Sequence, residues 1–258
     1  MNSDAVLAAF DRQLRQEAAP EGPGTRVERV GDVVRQVGAE HAWNGILWSD
    51  LREDTADAAI AAQVRHFASL GLEFEWKLYA HDRPADLAGR LRAAGFTPEP
   101  EETLLVARVQ DLATDVRLPE GIRLLPVTDR AGVELVADVH EQVFDTDGSR
   151  IRQRLLDRLA EDPGSVDIVL AMAGDRPVCS ARIEFHPGTD FASLWGGGTV
   201  TDWRGRGIYR ALVAFRARIA AERGHRYLQV DASDESRPIL QRLGFVPLGT
   251  TTPYICQP

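Results

Sequence analysis

The sequence predicts an α/β (α+β) protein, a mixed and mostly antiparallel sheet flanked by helices, laid down twice along the chain. In the C-terminal half, three strand-like runs lead through a glycine-rich turn into an amphipathic helix, and strand, helix and strand follow. In the N-terminal half a helix, a strand, a helix ending in Gly-Phe and a last strand recur in the same order.

Length and composition set the frame. At 258 residues the chain is about twice a typical domain, which favours two domains. A hydrophobic content of 44% with 27% charged residues is ordinary for a globular protein. The net charge of −9 disfavours nucleic acid as a partner and attracts cations, protonated amines included. Lys77 is the only lysine among 30 basic residues, a bias given no functional weight at this level. Cys179 and Cys256, the only cysteines, are too few for a disulfide scaffold or a cysteine metal site. The start Met1-Asn2-Ser3-Asp4 does not read as a secretory signal, and no apolar run approaches the roughly 20 residues of a membrane helix. The expectation is a cytoplasmic protein with no metal and no membrane partner.

Val6, Phe10 and Leu14 place one apolar stripe on an opening helix from Val6 to Glu17, which ends in the Pro- and Gly-containing run to Gly24. Thr25 to Val37 and Trp43 to Leu47 read as strands. Ile60, Val64, Phe67 and Leu70 make a helix stopped by Gly71, Leu72 to Tyr79 a strand, and Leu87 and Leu91 a helix beginning near Pro84 and ending at Gly95-Phe96. Leu104 to Val106 closes this half.

In the second half Asp129 to Phe144 and Ser149 to Leu159 read as helices. Val166 to Ala173, Pro177 to Phe185 and Phe191 to Val200 read as antiparallel strands with turns at Asp175-Arg176 and Gly188-Thr189-Asp190. Ile208, Leu212, Phe215 and Ile219 form a helical stripe stopping at Gly224; Tyr227 to Val230 is a strand; Ile239 and Leu243 lie on a helix ending at Gly244-Phe245; Tyr254 to Cys256 is the last strand. Arg83 to Phe96 resembles Arg237 to Phe245, which reads as an internal duplication, with chance as the alternative because Gly-Phe is a common helix ending. The expected domains are 1–110, a linker at 111–117, and 118–258.

The strongest local signal is Asp202-Trp203-Arg204-Gly205-Arg206-Gly207-Ile208-Tyr209-Arg210, between a strand and a helix. Such a turn exposes backbone N–H groups at the positive end of the helix dipole, where phosphate oxygens bind, and Arg204, Arg206 and Arg210 add cationic donors. A dinucleotide fingerprint needs a third glycine where Arg210 stands, and a Walker loop needs a lysine that the segment lacks. A pyrophosphate-binding turn for coenzyme A remains.

Arg204-Gly205-Arg206-Gly207-Ile208-Tyr209 resembles the core motif of the GNAT superfamily, Gln/Arg-x-x-Gly-x-Gly/Ala after the fourth strand, with Tyr209 in place of the last small residue. The order of elements over about 118–258 is similar to the GNAT acyl-CoA N-acyltransferase fold as well. The resemblance implies an N-acetyltransferase that uses acetyl-CoA as co-substrate and a primary amine of a small molecule, peptide or aminoacyl group as acceptor, in a monomer or homodimer. It implies backbone contacts to pantetheine from Thr199 and Val200, pyrophosphate contacts from Gly205 to Arg210, and hydrogen bonds from Ser233 and Ser236. The glycines 196–198 either clear a path for the thioester or form a bulge for strand splay.

The glutamate usual on the fourth strand is replaced by Ser193, and the usual tyrosine before the Gly-Phe pair by Leu240. Glu184 is therefore the first candidate for a base, with His186 next, and Tyr254, Tyr209 and Tyr227 are candidates for the acid. Glu141 and Asp145 stand where the family's acceptor loops lie, as ammonium attractors or simply as polar helix-end residues. The corresponding turn of the first half, Ser49 to Asp57, carries four carboxylates and no glycine, so the first copy is expected to be a degenerate unit serving as scaffold, and a coenzyme-A-binding protein without turnover is the rival reading.

Overall fold

A computed structural model of the chain describes residues 1–115 and 117–258. In chain order the elements are α1 (Ser3–Phe10), β1 (Arg26–Val30), β2 (Val33–Val37), β3 (Gly45–Ser49), α2 (Ala56–Leu70), β4 (Phe74–Tyr79), α3 (Leu87–Ala93), β5 (Thr97–Pro98) and β6 (Glu102–Arg108). There follow β7 (Ile122–Pro126), α4 (Arg130–Phe144), α5 (Ser149–Glu161), β8 (Val166–Ala173), β9 (Arg176–Phe185), β10 (Phe191–Thr199), α6 (Ile208–Glu222), β11 (Tyr227–Ala232), α7 (Arg237–Arg242) and β12 (Val246–Cys256). The α/β class is as the sequence predicts. The stretch Thr25 to Val37, read as one strand, is a hairpin instead, because Gly31 takes φ 59° and turns the chain between β1 and β2.

The chain packs as two compact units. One comprises Met1–Leu105, Asp231–Pro238 and Pro247–Pro258; the other comprises Val106–Val230 and Ile239–Val246. The last strand thus packs with the first unit: Thr251 to Cys256 of β12 pair antiparallel with Phe74 to Tyr79 of β4.

In the first unit β1, β2, β3, β4 and β12 are neighbours in that order, with β3 and β4 parallel. Its core sets Ile60 and Phe67 of α2 and Leu87 and Leu91 of α3 against Ile46, Phe74, Trp76 and Tyr254. Phe67 and Phe74 stack with ring centroids 4.2 Å apart, and α2 stops where Gly71 turns left-handed at φ 67°.

In the second unit the order is β11, β10, β9, β8, β7, with only β10 and β11 parallel among these pairs. Alternate residues of β8 feed opposite faces: Ile168, Leu170 and Met172 pack under α4 and α5, while Val169 and Ala171 pack with Ile208 and Leu212 of α6. Burial on both faces explains why β8 reads as a nearly continuous apolar run. α4 begins at Asp129, whose carboxylate accepts from the Gly132 N–H at 2.8 Å.

Candidate functional site

The glycine-rich turn has the geometry of an anion cradle. Thr201–Trp203 form one tight turn; Gly205 and Gly207 then take φ 74° and 84°, and Gly207 caps α6. Only glycine enters those angles without strain, so the motif's glycines are required by the backbone. The first intrahelical bond runs from Ala211 N–H to the Gly207 carbonyl, and among the described residues no backbone bond engages the N–H groups from Gly207 through Arg210. These donors sit at the positive end of a helix of 15 residues. The side chains of Arg204, Arg206 and Arg210 are exposed around them; Arg204 Nε donates to the Thr199 carbonyl at 3.1 Å, and Arg206 lies over the Trp203 ring.

The strand feeding this turn has an open side. β10 pairs with β11 only from Phe191 to Ser193, whereas its pairing with β9 continues to Thr199, past an irregularity between Trp195 and Gly198. Thr199 and Val200 are buried, with Val200 N–H bonded to the Val178 carbonyl at 3.0 Å and Thr199 Oγ1 donating to Cys179 Sγ.

No family model matches the sequence, and no curated protein does. Solved structures do. A GCN5-related N-acetyltransferase from Kribbella flavida superposes with a TM-score of 0.68 at 20% identity, covering 99% of this chain and 94% of that one. A tandem GNAT protein from the clavulanic acid biosynthesis pathway gives 0.64 at 14% identity, covering 99% and 96%. A GCN5-related N-acetyltransferase from Sphaerobacter thermophilus gives 0.60 at 15%, covering 88% and 80%. The chain has the GNAT fold. At these identities the likeness establishes architecture, and the chemistry must be argued from the residues present.

Within the GNAT fold, the glycines 196–198 are filled in from both faces. A Cβ at Gly196 would meet Arg182 Nη1 at 2.6 Å, one at Gly197 the Tyr209 ring at 2.9 Å, and one at Gly198 Val143 Cγ1 at 2.6 Å. The run therefore admits these side chains against the strand; it does not leave a bare channel.

Glu184, the first candidate for a base, is engaged in ion pairs. Its side chain is 8% exposed and pairs with Arg182 Nε at 2.8 Å and Arg158 Nη1 at 3.3 Å. Burial would raise its pKa, but the guanidiniums of Arg182 and Arg158 outweigh that and hold it near 2, so it is a tied structural anion. His186 is also buried, and burial lowers it to about 4 although Glu184 opposes this. Its Nε2 lies 2.6 Å from Ser193 Oγ, which also accepts from Gln229 Nε2 at 2.7 Å. Ser193 occupies the last paired position before β10 and β11 part.

Tyr254 belongs to the first unit's core, 2% exposed, beneath the Arg92 guanidinium. Tyr227 stacks on Phe191. Ser233 and Ser236 bond to each other in the turn after β11, in the stretch that packs with the first unit. Glu141 is used locally, accepting from the Gly148 N–H, and Asp145 ends α4 with φ 53°.

Tyr209 stands in the first turn of α6. Burial raises its pKa and Arg216 opposes the rise, keeping a neutral phenol at physiological pH. Arg216, absent from the sequence reading, is 1% exposed; it donates to the Leu212 and Arg182 carbonyls, and its Nη2 has no hydrogen bond. Its signal was an arginine four residues after Leu212 on the buried stripe of an amphipathic helix. Among the described residues no helix is long and apolar enough to cross a membrane.

Proposed function

We propose that the chain is an N-acetyltransferase that moves an acetyl group from acetyl-CoA to a primary amine. The observation that carries this reading is the run of unbonded N–H groups from Gly207 to Arg210, in a turn that follows a strand whose pairing with β11 ends at Ser193. Diphosphate oxygens fit that run and its three arginines; an extended amide-bearing arm fits the edge of β10 near Thr199 and Val200. Acetyl-CoA supplies an activated acyl group. The amine nitrogen bonds to the acyl carbon, the carbon–sulfur bond breaks, and the amine's proton leaves to solvent.

Tyr209 is the proton donor to the departing sulfur in this reading. Its phenol is neutral, and the Arg216 guanidinium beside it stabilises the phenolate that donation leaves behind. A second reading is binding of coenzyme A without turnover. It is favoured by Glu184, whose carboxylate is engaged by two arginines and so unavailable to an acceptor.

Thiol release from acetyl-CoA, followed across a panel of primary amines, separates the two. Acceptor-dependent release is expected, and Tyr209→Phe should lower turnover by roughly 10²–10⁴-fold with little change in acetyl-CoA affinity. Tight binding with no acceptor-dependent thiol would establish the second reading. Loss of affinity in Tyr209→Phe would make the phenol a binding group.

A further inference from the structure

Transfer to an amine releases a proton, and the groups at the glycine-rich turn cannot take it. Tyr209 is a neutral phenol that gives a proton, and the arginines are already protonated. Ser193 stands at the last position where β10 pairs with β11 and is only 1% exposed. A proton released beside it is cut off from bulk water and must leave along hydrogen bonds.

One such line is built into the second unit. Ser193 Oγ accepts from Gln229 Nε2 at 2.7 Å and lies 2.6 Å from His186 Nε2. With Gln229 as its donor, the serine hydroxyl turns its own proton toward His186, so Nε2 accepts and Nδ1 carries the ring proton. Among the described residues Nδ1 makes no hydrogen bond, and the His186 ring lines a cavity of about 400 Å³. At about 30 Å³ for each water, the cavity has room for several. Its walls include Phe185, Gly188, Arg223 and His225, the last two just beyond the C-terminal end of α6. The glycine-rich turn is at the other end of that helix, so this cavity is separate from the phosphate cradle.

We propose that Ser193 and His186 form a relay that carries the acceptor amine's proton from the parting of β10 and β11 out to this cavity. As the amine nitrogen bonds to the acyl carbon, one N–H bond breaks toward Ser193 Oγ, the serine proton passes to His186 Nε2, and the Nδ1 proton passes to water in the cavity. Serine ends with the one proton it began with. The ring also ends with one, now on Nε2, and returns to its resting tautomer by exchange with that water.

Two further observations fit a relay. Burial holds His186 near 4, with Arg158 adding to the fall and Glu184 opposing it, so the ring is neutral and stores no second proton. Uptake at one nitrogen and release at the other then go together. Ser193 also lies opposite Glu184, whose partner Arg158 comes from α5, whereas Tyr209 approaches Gly197 from α6. The proton leaves on one face of the sheet and the thiolate is protonated from the other.

The relay rests on the transfer reading, and its tests separate the two. On the full chain with a working amine, His186→Gln keeps an amide that can bond Ser193 but cannot pass a proton between two nitrogens. Its kcat should fall roughly 10²-fold with KM for both substrates little changed. Ser193→Ala should fall comparably, and Ser193→Thr, which keeps the hydroxyl, should restore most of the rate. Imidazole added to His186→Ala should enter the cavity and recover turnover, with no effect on the parent. Long-range proton–nitrogen NMR of the resting chain reads the relay without turnover, and the His186 proton is expected on Nδ1. A folded His186→Gln chain as fast as the parent, or a resting proton on Nε2, would overturn the relay alone. So would slow variants that neither Ser193→Thr nor imidazole restores, since the contacts would then be structural. A parent with no acceptor-dependent thiol release would sink the transfer reading and the relay with it.

Discussion

Two strand-to-helix turns of this chain, in the parallel crossovers β10–α6–β11 and β3–α2–β4, share a topology and differ in what their amides do. After β10, the N–H groups of Gly207 to Arg210 are unbonded and flanked by arginines. After β3, the Thr55 and Ala56 N–H groups both bond to the Arg52 carbonyl, so that turn has closed on itself. Two of its four carboxylates are paired, Asp54 with Arg52 and Asp57 with Arg90, and Arg90 also reaches the Glu53 backbone carbonyl, the two Arg90 contacts each at 3.0 Å. A strand feeding a helix is therefore insufficient for a phosphate site. Left-handed glycines must hold the first amides open, and the nearby charge must be positive.

The largest test of that difference is at Gly207. A carboxylate beside a bound diphosphate is opposed by roughly 4 kcal/mol at about 4 Å in a surface environment. A Cβ there also lies 3.6 Å from Arg210 Nη2, so an aspartate would draw that arginine away. Gly207→Asp should weaken acetyl-CoA on the order of a thousandfold, while Gly207→Ala, which adds only backbone strain at φ 84°, should weaken it far less. The parent chain should bind one acetyl-CoA by calorimetry. Two per chain would mean that the closed turn after β3 opens to bind the second, and that the two turns do not differ in function.

The open turn was legible because it is local. Two glycines spaced to begin an amphipathic stripe fix both the helix start and the positive φ values. The pairing of β12 with β4 was not, since nothing in Tyr254 to Cys256 says which distant strand completes its ladder. The fate of Glu184 was half legible: Arg182 and Glu184 alternate with Ala181 and Ile183 on a strand buried on both faces, so each charge had to find a partner. Arg158, on a helix 26 positions upstream of Glu184, came only from tertiary packing. Lys77 and Asp231, which pair at 2.8 Å in the first unit, are farther apart still along the chain, and the rarity of lysine was the one sequence sign that the position was special.

The units differ again in how each keeps a buried carboxylate. Glu184 in the second unit has two guanidinium partners, and removing its charge leaves Arg158 and Arg182 buried and uncompensated. Glu184→Gln should cost about 3–5 kcal/mol in urea unfolding at pH 7. Because its folded pKa lies below the ordinary 4.5, the parent's stabilisation from this group is complete above about 4.5 and is lost as pH falls toward 2. A variant as stable as the parent at pH 7 would show that the ion pairs only break even with their desolvation.

Glu102 in the first unit has the opposite sign and the smallest expected effect. Burial lifts its pKa from 4.5 to about 7, so the folded state favours the protonated form. The stability this gives is present in full below 4.5 and is lost as pH rises through 7, because above that the chain must carry another buried negative charge beside Asp231 and Glu75. Glu102→Gln removes the charge and keeps the shape. Since nearly a third of the side chain is exposed, solvent screening reduces the gain to roughly 1–2 kcal/mol at pH 8, with almost none at pH 5. Paired urea titrations of parent and variant at the two pH values measure it. A variant less stable than the parent at pH 8 would mean that Lys77, 3.9 Å away, compensates Glu102 fully, and that the first unit holds its carboxylate much as the second unit holds Glu184.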